Sequence, residues 1–513
     1  MTDVLQMLGC HRDPVQTLAA LSALDVYPRS LTPCGDSLLF LARRAGAHVL
    51  AALVREPGAL GLDLAYNPVR LADAAFFLGI GELSPHNAIG MRRAVPHTAP
   101  VCLGRAASVG LGDRLGIATP GHIRALRRAP GMRPVLAQQS IREMERTART
   151  PQQVIDAATW GVMQEGWTKG YGADADHLKT TADVDVCAAV GFCLYTLDPR
   201  DHVDNAADRD DAATLAAKLG ALPWSRLETS PADLRATYDG KAWDVGETGS
   251  LTCSSEQLAR AACKYGRAIA HLAEVYRHLV AVMGTRTFDV EISVDETETP
   301  TRPVEHLFIA TELLRLGVRW VSLAPRFVGR FEKGVDYIGD LAAFREDFGR
   351  HAAIARALGP YKLSLHSGSD KFSIYPIAAE LAGDLVHLKT AGTSYLEALR
   401  AVAVIDPLLF REILAFAIEH YVQDRASYHV SAQVERMVRP ASLADEQLPA
   451  ALDQFDTRQA LHVTFGSVVT ARTAQGAFRF RERLYDTLSG DEEAHCHALE
   501  THIIRHLAPF QKP

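Results

Sequence analysis

The chain has 513 residues, a formal net charge of −7 and an ordinary globular balance, 48% hydrophobic and 22% charged. That length buries a large core and leaves room for more than one domain. With no basic patch, no apolar run of about 18 residues and eight scattered cysteines that never form a CxxC pair, the composition argues against nucleic-acid binding, membrane spans and a zinc ribbon or disulfide framework. It argues for reduced thiols in a cytoplasm. The opening MTDVLQMLGCHRD has no basic n-region and no long apolar stretch, so no signal peptide is expected.

Residues 1–100 read as an N-terminal α/β extension, with a hairpin or strand pair over Ser37–Val54 turning near Arg44–Gly46. Arg105–Gly112 is a first candidate barrel strand, with a helix from about Pro120, and Pro134–Gln138 is a second. Thr150-Pro151-Gln152-Gln153 is a capping box that opens a helix running to about Gly166. Ala175–Thr180 is a third strand. A helical insertion over about 181–285 follows, including a long helix from about Ser254 to Met283.

From there the rhythm is strand, loop, helix. Thr287–Val294 alternates, with Phe288, Val290, Ile292 and Val294 on one face and Asp289, Glu291, Ser293 and then Asp295 on the other. A helix spans about Pro303–Leu316, with proline in its first turn and Gly317 placed to cap it. Val318–Ala324 is the next strand, and Asp340 N-caps a helix that ends at Gly359. Strands over Tyr361–Ser367 and Asp384–Lys389, helices over about Ser394–Val404 and Pro407–Val422, and a last candidate strand at Tyr428–Ala432 complete the series. Residues 435–513 read as a mostly helical region. Strands alternating with helices imply parallel βα units, and eight candidate strands are the number of a TIM-like (β/α)8 barrel. The expected α/β architecture is therefore a catalytic barrel over 101–434 with the extension, the insertion and the helical C-terminal region; a doubly wound open sheet is the alternative.

Barrel enzymes gather their chemistry at the C-terminal ends of the strands. The segment Tyr361–Pro376, YKLSLHSGSDKFSIYP, puts Lys362, Ser364 and His366 on an inner face and follows them with Ser367, Gly368, Ser369, Asp370 and Lys371. Buried polar side chains need partners, so this strand end is expected to hold an oxygen-rich, anionic molecule or a metal. His177, His366 and His387 fall at three strand ends, with Glu291 and Asp295 on another, and imidazole with carboxylate suits a divalent Zn, Mn, Fe, Co or Ni ion. The quartets His177-Leu178-Lys179-Thr180 and His387-Leu388-Lys389-Thr390 repeat the same residues. In Gly110-Leu111-Gly112-Asp113-Arg114-Leu115-Gly116, Asp113 is a candidate acid or base and Arg114 a candidate carboxylate clamp, as is Arg326 after the fifth candidate strand. A structural turn is the bland alternative for Asp113, and satisfied core histidines for the imidazoles. No GxSxG elbow or phosphate-binding loop is present.

FDVEISVDETETPT (288–301), WVSLAPRFVGRFEKGVDYIGD (320–340), YKLSLHSGSDKFSIYP (361–376), GLGDRLGIATPGH (110–122) and the HLKT strand at 177 together resemble the tagaturonate epimerase family over most of residues 105–400. The resemblance implies interconversion of D-tagaturonate and D-fructuronate with a divalent metal at the barrel mouth. It places Asp113 and Glu291 as the acid/base pair and His177, His366 and His387 as metal ligands. It leaves Arg114, Lys179, Asp295, Arg326, Ser367 and Lys371 to hold the sugar acid. Other readings on the same barrel are a ketose epimerase, a sugar isomerase, a class II aldolase or a non-catalytic sugar-acid sensor. The partner expected is a small sugar acid, with neither nucleic acid nor membrane, and a homo-oligomer is compatible.

Overall fold

The computed structural model describes residues 13–71, 74–246 and 249–511. Its centre is a closed barrel of parallel strands, each bonded to its neighbours in sequence and the last to the first. They are β1 Ser108–Leu111, β2 Arg133–Ser140, β3 Gly172–Leu178, β4 Leu194–Leu197, β5 Asp289–Val294, β6 Ser322–Pro325, β7 Lys362–Leu365 and β8 Val386–Thr390. The alternation seen in the sequence explains the closure. Val290, Ile292 and Val294 of β5, Leu363 and Leu365 of β7, and Val386 and Leu388 of β8 point outward into a shared apolar core with the helices. Inside, where such barrels usually stack branched aliphatics, this one buries Asp174, Asp176, Thr196, Glu291, Ser364, His387 and Lys389.

The helix boundaries follow their local chemistry. Asp340 accepts hydrogen bonds from the N–H groups of Ala342 and Ala343 and opens Leu341–Leu358. Thr150 and Ser254 close reciprocal capping boxes on Pro151–Gln164 and Ser255–Met283. Gly317 takes φ 80° after the helix Pro303–Arg315, a left-handed stop that other residues resist.

Two expected strands need correction. The fourth strand, β4, lies within the span read as insertion. Leu194, Tyr195 and Leu197 are all buried, so this short run carries no alternation to betray it. Tyr428–Ala432 is not a strand: a 3₁₀ turn over Arg425–Ser427 leads into irregular backbone, with Val430 and Ala432 buried. The expected count of eight holds, but one member was missed and one was false.

The N-terminal extension is a six-stranded antiparallel sheet whose Ser37–Arg44 and Ala47–Val54 form the expected hairpin. One of its faces packs on Trp160 and Met163, which joins it to the barrel's outer helices. The C-terminal helix Glu492–Leu507 lies against Thr119–Arg128 and Thr393–Ile405. Among the described residues no helix is long and apolar enough to cross a membrane.

Candidate active site

Two adjoining cavities, of about 180 and about 50 Å³, open at the C-terminal end of the barrel and share Arg142, Asp295, Glu296, Lys333, His366, Ser367 and Tyr428. The loops after β2, β5, β6 and β7 supply these walls, and Tyr428 and His429 cover them from the segment misread as a strand.

Beneath the mouth, Lys389 is the hub. Its Nζ lies 2.7 Å from Asp176 Oδ1, 2.8 Å from Asp174 Oδ2 and 2.7 Å from Glu291 Oε1, and it donates to Thr196 Oγ1 at 2.6 Å. Burial disfavours its charge, but the three carboxylates outweigh that and hold its pKa well above the ordinary range. His366 bridges two acids: Nε2 meets Glu291 Oε1 at 2.6 Å and Nδ1 meets Asp295 Oδ1 at 3.1 Å. Burial works against the imidazolium, yet Asp295 and Glu291 raise its pKa to about 10. Lys389 first, then His366, push Glu291 well below the usual carboxylate range despite its complete burial.

His177 enters by a backbone irregularity. Across β3 and β4, Tyr195 pairs with Ala175 and Leu197 with Leu178, so β3 carries one extra residue there. His177 takes φ 53° at that bulge, which re-aims its side chain and lets the consecutive Asp176 and His177 both line the cleft. Asp198 accepts from His177 Nδ1 at 2.8 Å and leaves Nε2 beside Asp176 Oδ1 at 3.7 Å. A carboxylate behind an imidazole fixes its orientation in this way at metal sites. Burial alone would raise Asp176, but His177 and Lys389 bring it down to about 2.

The cluster is rich in carboxylates. Asp174, Asp176, Asp198, Glu291 and Asp295 are buried or nearly so, against the fixed charges of Lys389 and Arg200. The surplus is met by protons on His366 and His177, whose pKa is also raised, burial being outweighed by Asp176 and Asp198. His177, Asp176 and Asp295 are the kinds of imidazole and oxygen donor that a divalent ion takes, and such an ion would displace the His177 proton. By donor chemistry the residues fit one.

Of the other expected residues, the structure brings only some together. Arg326 and Ser367 line the cleft. Arg114 also reaches it, but its guanidinium is bonded to Glu143 at 2.9 Å and stacked 3.7 Å from the Phe465 ring centroid. Glu291 lies fully buried behind His366 and does not line either cavity. His387 is a layer deeper: Nδ1 contacts the Ser108 hydroxyl and carbonyl at 2.9 and 3.1 Å, and burial lowers its pKa to about 3. It is not joined with His177 and His366 as a ligand set. Lys179 lies just past the end of β3 and pairs with Asp201. Lys371 is buried away from the cleft, donating to the carbonyls of Glu332, Val335 and Ser369.

Asp113 is also outside the cleft. Its carboxylate accepts from the N–H groups of Leu115, Gly116 and Ala118, at 3.2, 2.7 and 2.7 Å, so it shapes a turn. Asp113→Ala should therefore cost stability, about 1–3 kcal/mol for charge-assisted hydrogen bonds, and leave kcat within about two-fold. Urea unfolding and steady-state kinetics check both.

Sequence reasoning did not find Asp174, Asp176, Thr196, Asp198, Arg200, Arg142 or Lys333. The strand containing Thr196 was unseen, and the alternation Asp174–Asp176 on β3 was the available sign for the first two. Lys333 donates to Ser367 Oγ at 2.7 Å, and burial lowers its pKa. Arg142 and Arg326 form no ion pair among the described residues; Arg142 rests 5.5 Å from the Tyr428 ring. Elsewhere, Asp370, His502 and His506 converge closely enough to hold a metal ion. Arg458, however, already pairs with Asp370 Oδ2 at 2.9 Å, and His506 Nε2 already accepts the Asp370 N–H at 3.0 Å.

The His366 linkage has a sign. A histidine whose folded pKa is about 10 against an unfolded value of about 6.5 contributes stability that is full below pH about 6.5 and is lost as pH rises toward 10. In metal-free protein, the stability gap between wild type and His366→Gln should be widest in mild acid and close as pH rises through that window. Denaturant titrations at stepped pH measure it.

A closed parallel barrel with its ionisable groups massed at the C-terminal mouth is the build of a (β/α)8 enzyme. The tagaturonate epimerase family model matches residues 27–510. A tagaturonate/fructuronate epimerase of Thermotoga maritima is 42% identical over 484 residues, 94% of this chain and 96% of that protein. The crystal structure of a fructuronate-tagaturonate epimerase of Cohnella laeviribosi superposes with a TM-score of 0.89 at 38% identity, covering 97% of this chain and 98% of that one. Its form with one glycerol gives the same TM-score at 39% identity. The chain belongs to the tagaturonate epimerase family, and is thereby an isomerase.

Proposed function

We propose that the protein interconverts D-tagaturonate and D-fructuronate with a divalent metal at the barrel mouth. The observation that carries this reading is the match to the family along nearly the whole chain, and the cleft agrees with it: Arg142 and Arg326, which form no ion pair among the described residues, line it together with an acid–imidazole cluster.

The two sugar acids differ at a carbinol carbon beta to the ketone, so removing its proton has no carbonyl to delocalise the charge. In the retro-aldol route a base takes the hydroxyl proton at that carbon, and the bond to the adjacent carbon breaks. The electron pair passes to the ketone oxygen as an enediolate, and the aldehyde turns before the bond reforms on its other face. Direct proton exchange at the carbinol carbon is the other route. Both need a base, a proton donor and a carboxylate clamp. Asp295 and Asp176, two of the carboxylates that line the cleft, serve as base candidates; His366, charged between Asp295 and Glu291, is the proton donor. Glu291 acts through His366 by holding it. Lys333 and Ser367 offer hydrogen bonds to hydroxyls. A cation, which His177, Asp176 and Asp295 would hold while His366 keeps its proton, would supply Lewis-acid polarisation of the ketone oxygen. A cytoplasmic site of action is supported by the free thiols of the described cysteines.

In this reading Arg326, with Arg142, takes the sugar carboxylate; both line the cleft. Arg326→Ala should raise KM for the uronate about 10–100-fold, the equivalent of a charged hydrogen bond or pair of them, with kcat little changed. Fructose and tagatose, which lack the carboxylate, should be poor substrates for both enzymes and unaffected by the substitution. Equal turnover of neutral ketoses by the wild type would instead support a general ketose epimerase.

A further inference from the structure

The loop Ser367–Lys371 begins at the active-site mouth and ends in the protein interior. Two of its non-glycine residues, Ser367 and Asp370, have positive φ, 49° and 61°. L-residues keep such conformations only where the surroundings impose them. The surroundings here come from far along the chain. His502 and His506 stand four residues apart on the C-terminal helix Glu492–Leu507, so they share one helix face. His502 Nε2 meets Asp370 Oδ1 at 2.6 Å, and His506 Nε2 accepts the Asp370 backbone N–H at 3.0 Å. With Nε2 an acceptor, His506 carries its proton on Nδ1, which donates to the His502 carbonyl at 3.2 Å. On the other side of His502, Nδ1 lies 3.2 Å from Glu397 Oε1. Arg458 bridges the same two acids, at 2.9 Å from Asp370 and 3.3 Å from Glu397.

The far end of the loop is tied to its neighbour. Lys371 Nζ donates to the carbonyls of Glu332 and Val335 in the loop after β6, at 2.8 and 2.5 Å, and to Ser369 in its own loop at 3.0 Å. The near end presents His366 to Glu291 and Asp295, and Ser367 to Lys333.

We propose that His506 and His502 are positioning residues for the epimerase: the C-terminal helix grips Asp370 and thereby sets the placement of His366 and Ser367 at the mouth. The proposal rests on reading that mouth as the active site. Neither histidine touches the cleft, so each acts through the loop. Reaction geometry is sensitive enough for this to matter, since a displacement of about 1 Å can cost about 10²-fold in rate.

The test uses full-length, metal-supplied protein with D-fructuronate and compares His506→Leu with His506→Gln. Leucine cannot accept the Asp370 N–H, whereas the glutamine Oε1 reaches the position of Nε2. His506→Leu should lose about 10-fold or more in kcat, with KM within about three-fold, and His506→Gln should recover most of the loss. Circular dichroism at the assay temperature confirms that both variants are folded. Wild-type kcat in a folded His506→Leu, or a glutamine variant as impaired as the leucine one, overturns the proposal. Should His506→Leu not fold, His502→Gln, which keeps one of the two carboxylate contacts, decides it: a fall in kcat of about five-fold or more at steady KM supports the clamp, and wild-type kcat removes it. His366→Gln is run beside them. If that variant keeps full activity, the reading of the mouth fails, and the loss seen in the His506 variants has another origin.

Discussion

Replacing Lys389 with methionine is expected to abolish turnover and cost about 3–5 kcal/mol of stability near neutral pH, the usual penalty for removing one partner from a buried ionic group. Lys389 is 4% exposed, and its ammonium is the fixed cation within 2.8 Å of three buried carboxylates. Methionine fills the stem but leaves those acids facing one another. They must then either stay charged in a low dielectric or take up protons. The pH dependence separates this cause from lost packing. In the variant, burial and mutual repulsion raise the folded pKa of the acids above their unfolded values. Their penalty is therefore full at high pH and shrinks as pH falls through the raised pKa. The stability gap to wild type should be larger at pH 8 than at pH 5. A constant gap would mean that volume, not charge, was lost. Urea titrations of both proteins at the two pH values give the answer.

His366→Gln is expected to lower kcat by about 10²–10⁴-fold, the range for a group that moves or holds a proton in the transition state. KM should change far less, because the proposed carboxylate clamp, Arg326 with Arg142, is left untouched. Glutamine can hydrogen-bond to Glu291 or Asp295, yet it neither carries the charge nor gives up a proton. A variant with kcat within about ten-fold of wild type would remove His366 from the proton-transfer role. Steady-state kinetics with the metal concentration held saturating keep metal loss from imitating the effect.

Much of the barrel was legible because β5 and β7 have one polar and one apolar face. Val290, Ile292 and Val294 against Asp289, Glu291 and Ser293 form a period of two that no helix produces. The same alternation puts Glu291 and His366 on the inner face. β4 was illegible for the opposite reason. Leu194, Tyr195 and Leu197 are apolar on both faces, and Thr196 alone shows which way the strand turns. Tyr428–Ala432 imitated a strand because Val430 and Ala432 pack inward while Tyr428 and His429 face the cleft. Alternating burial requires no ladder.

The errors at the site have equally local causes. The quartet at His177 matched the one at His387, but a bulge and a positive φ turn His177 into the cleft and β3 ends before Lys179, which pairs with Asp201, whereas the β8 copy stays regular through Lys389. A single extra residue in a strand leaves no mark in composition. Asp113 looked catalytic because glycines surround it; of these, Gly116 belongs to the turn that its carboxylate caps, and Gly110 lies in β1. The clamp on Asp370 lay beyond sequence reasoning altogether, since its partners are more than 100 residues away, on a helix that periodicity alone could not dock.

The most direct test of the account is an NMR assay of metal-loaded protein with D-fructuronate in D2O, run beside a chelator-treated sample and His366→Gln. The account predicts resonances of D-tagaturonate with the loaded wild type, and their near absence in the other two. Deuterium at the inverted carbon would assign proton exchange there, and its absence would favour carbon–carbon cleavage or internal return of the proton. No conversion of D-fructuronate with any divalent metal, or conversion undiminished in His366→Gln, would contradict it.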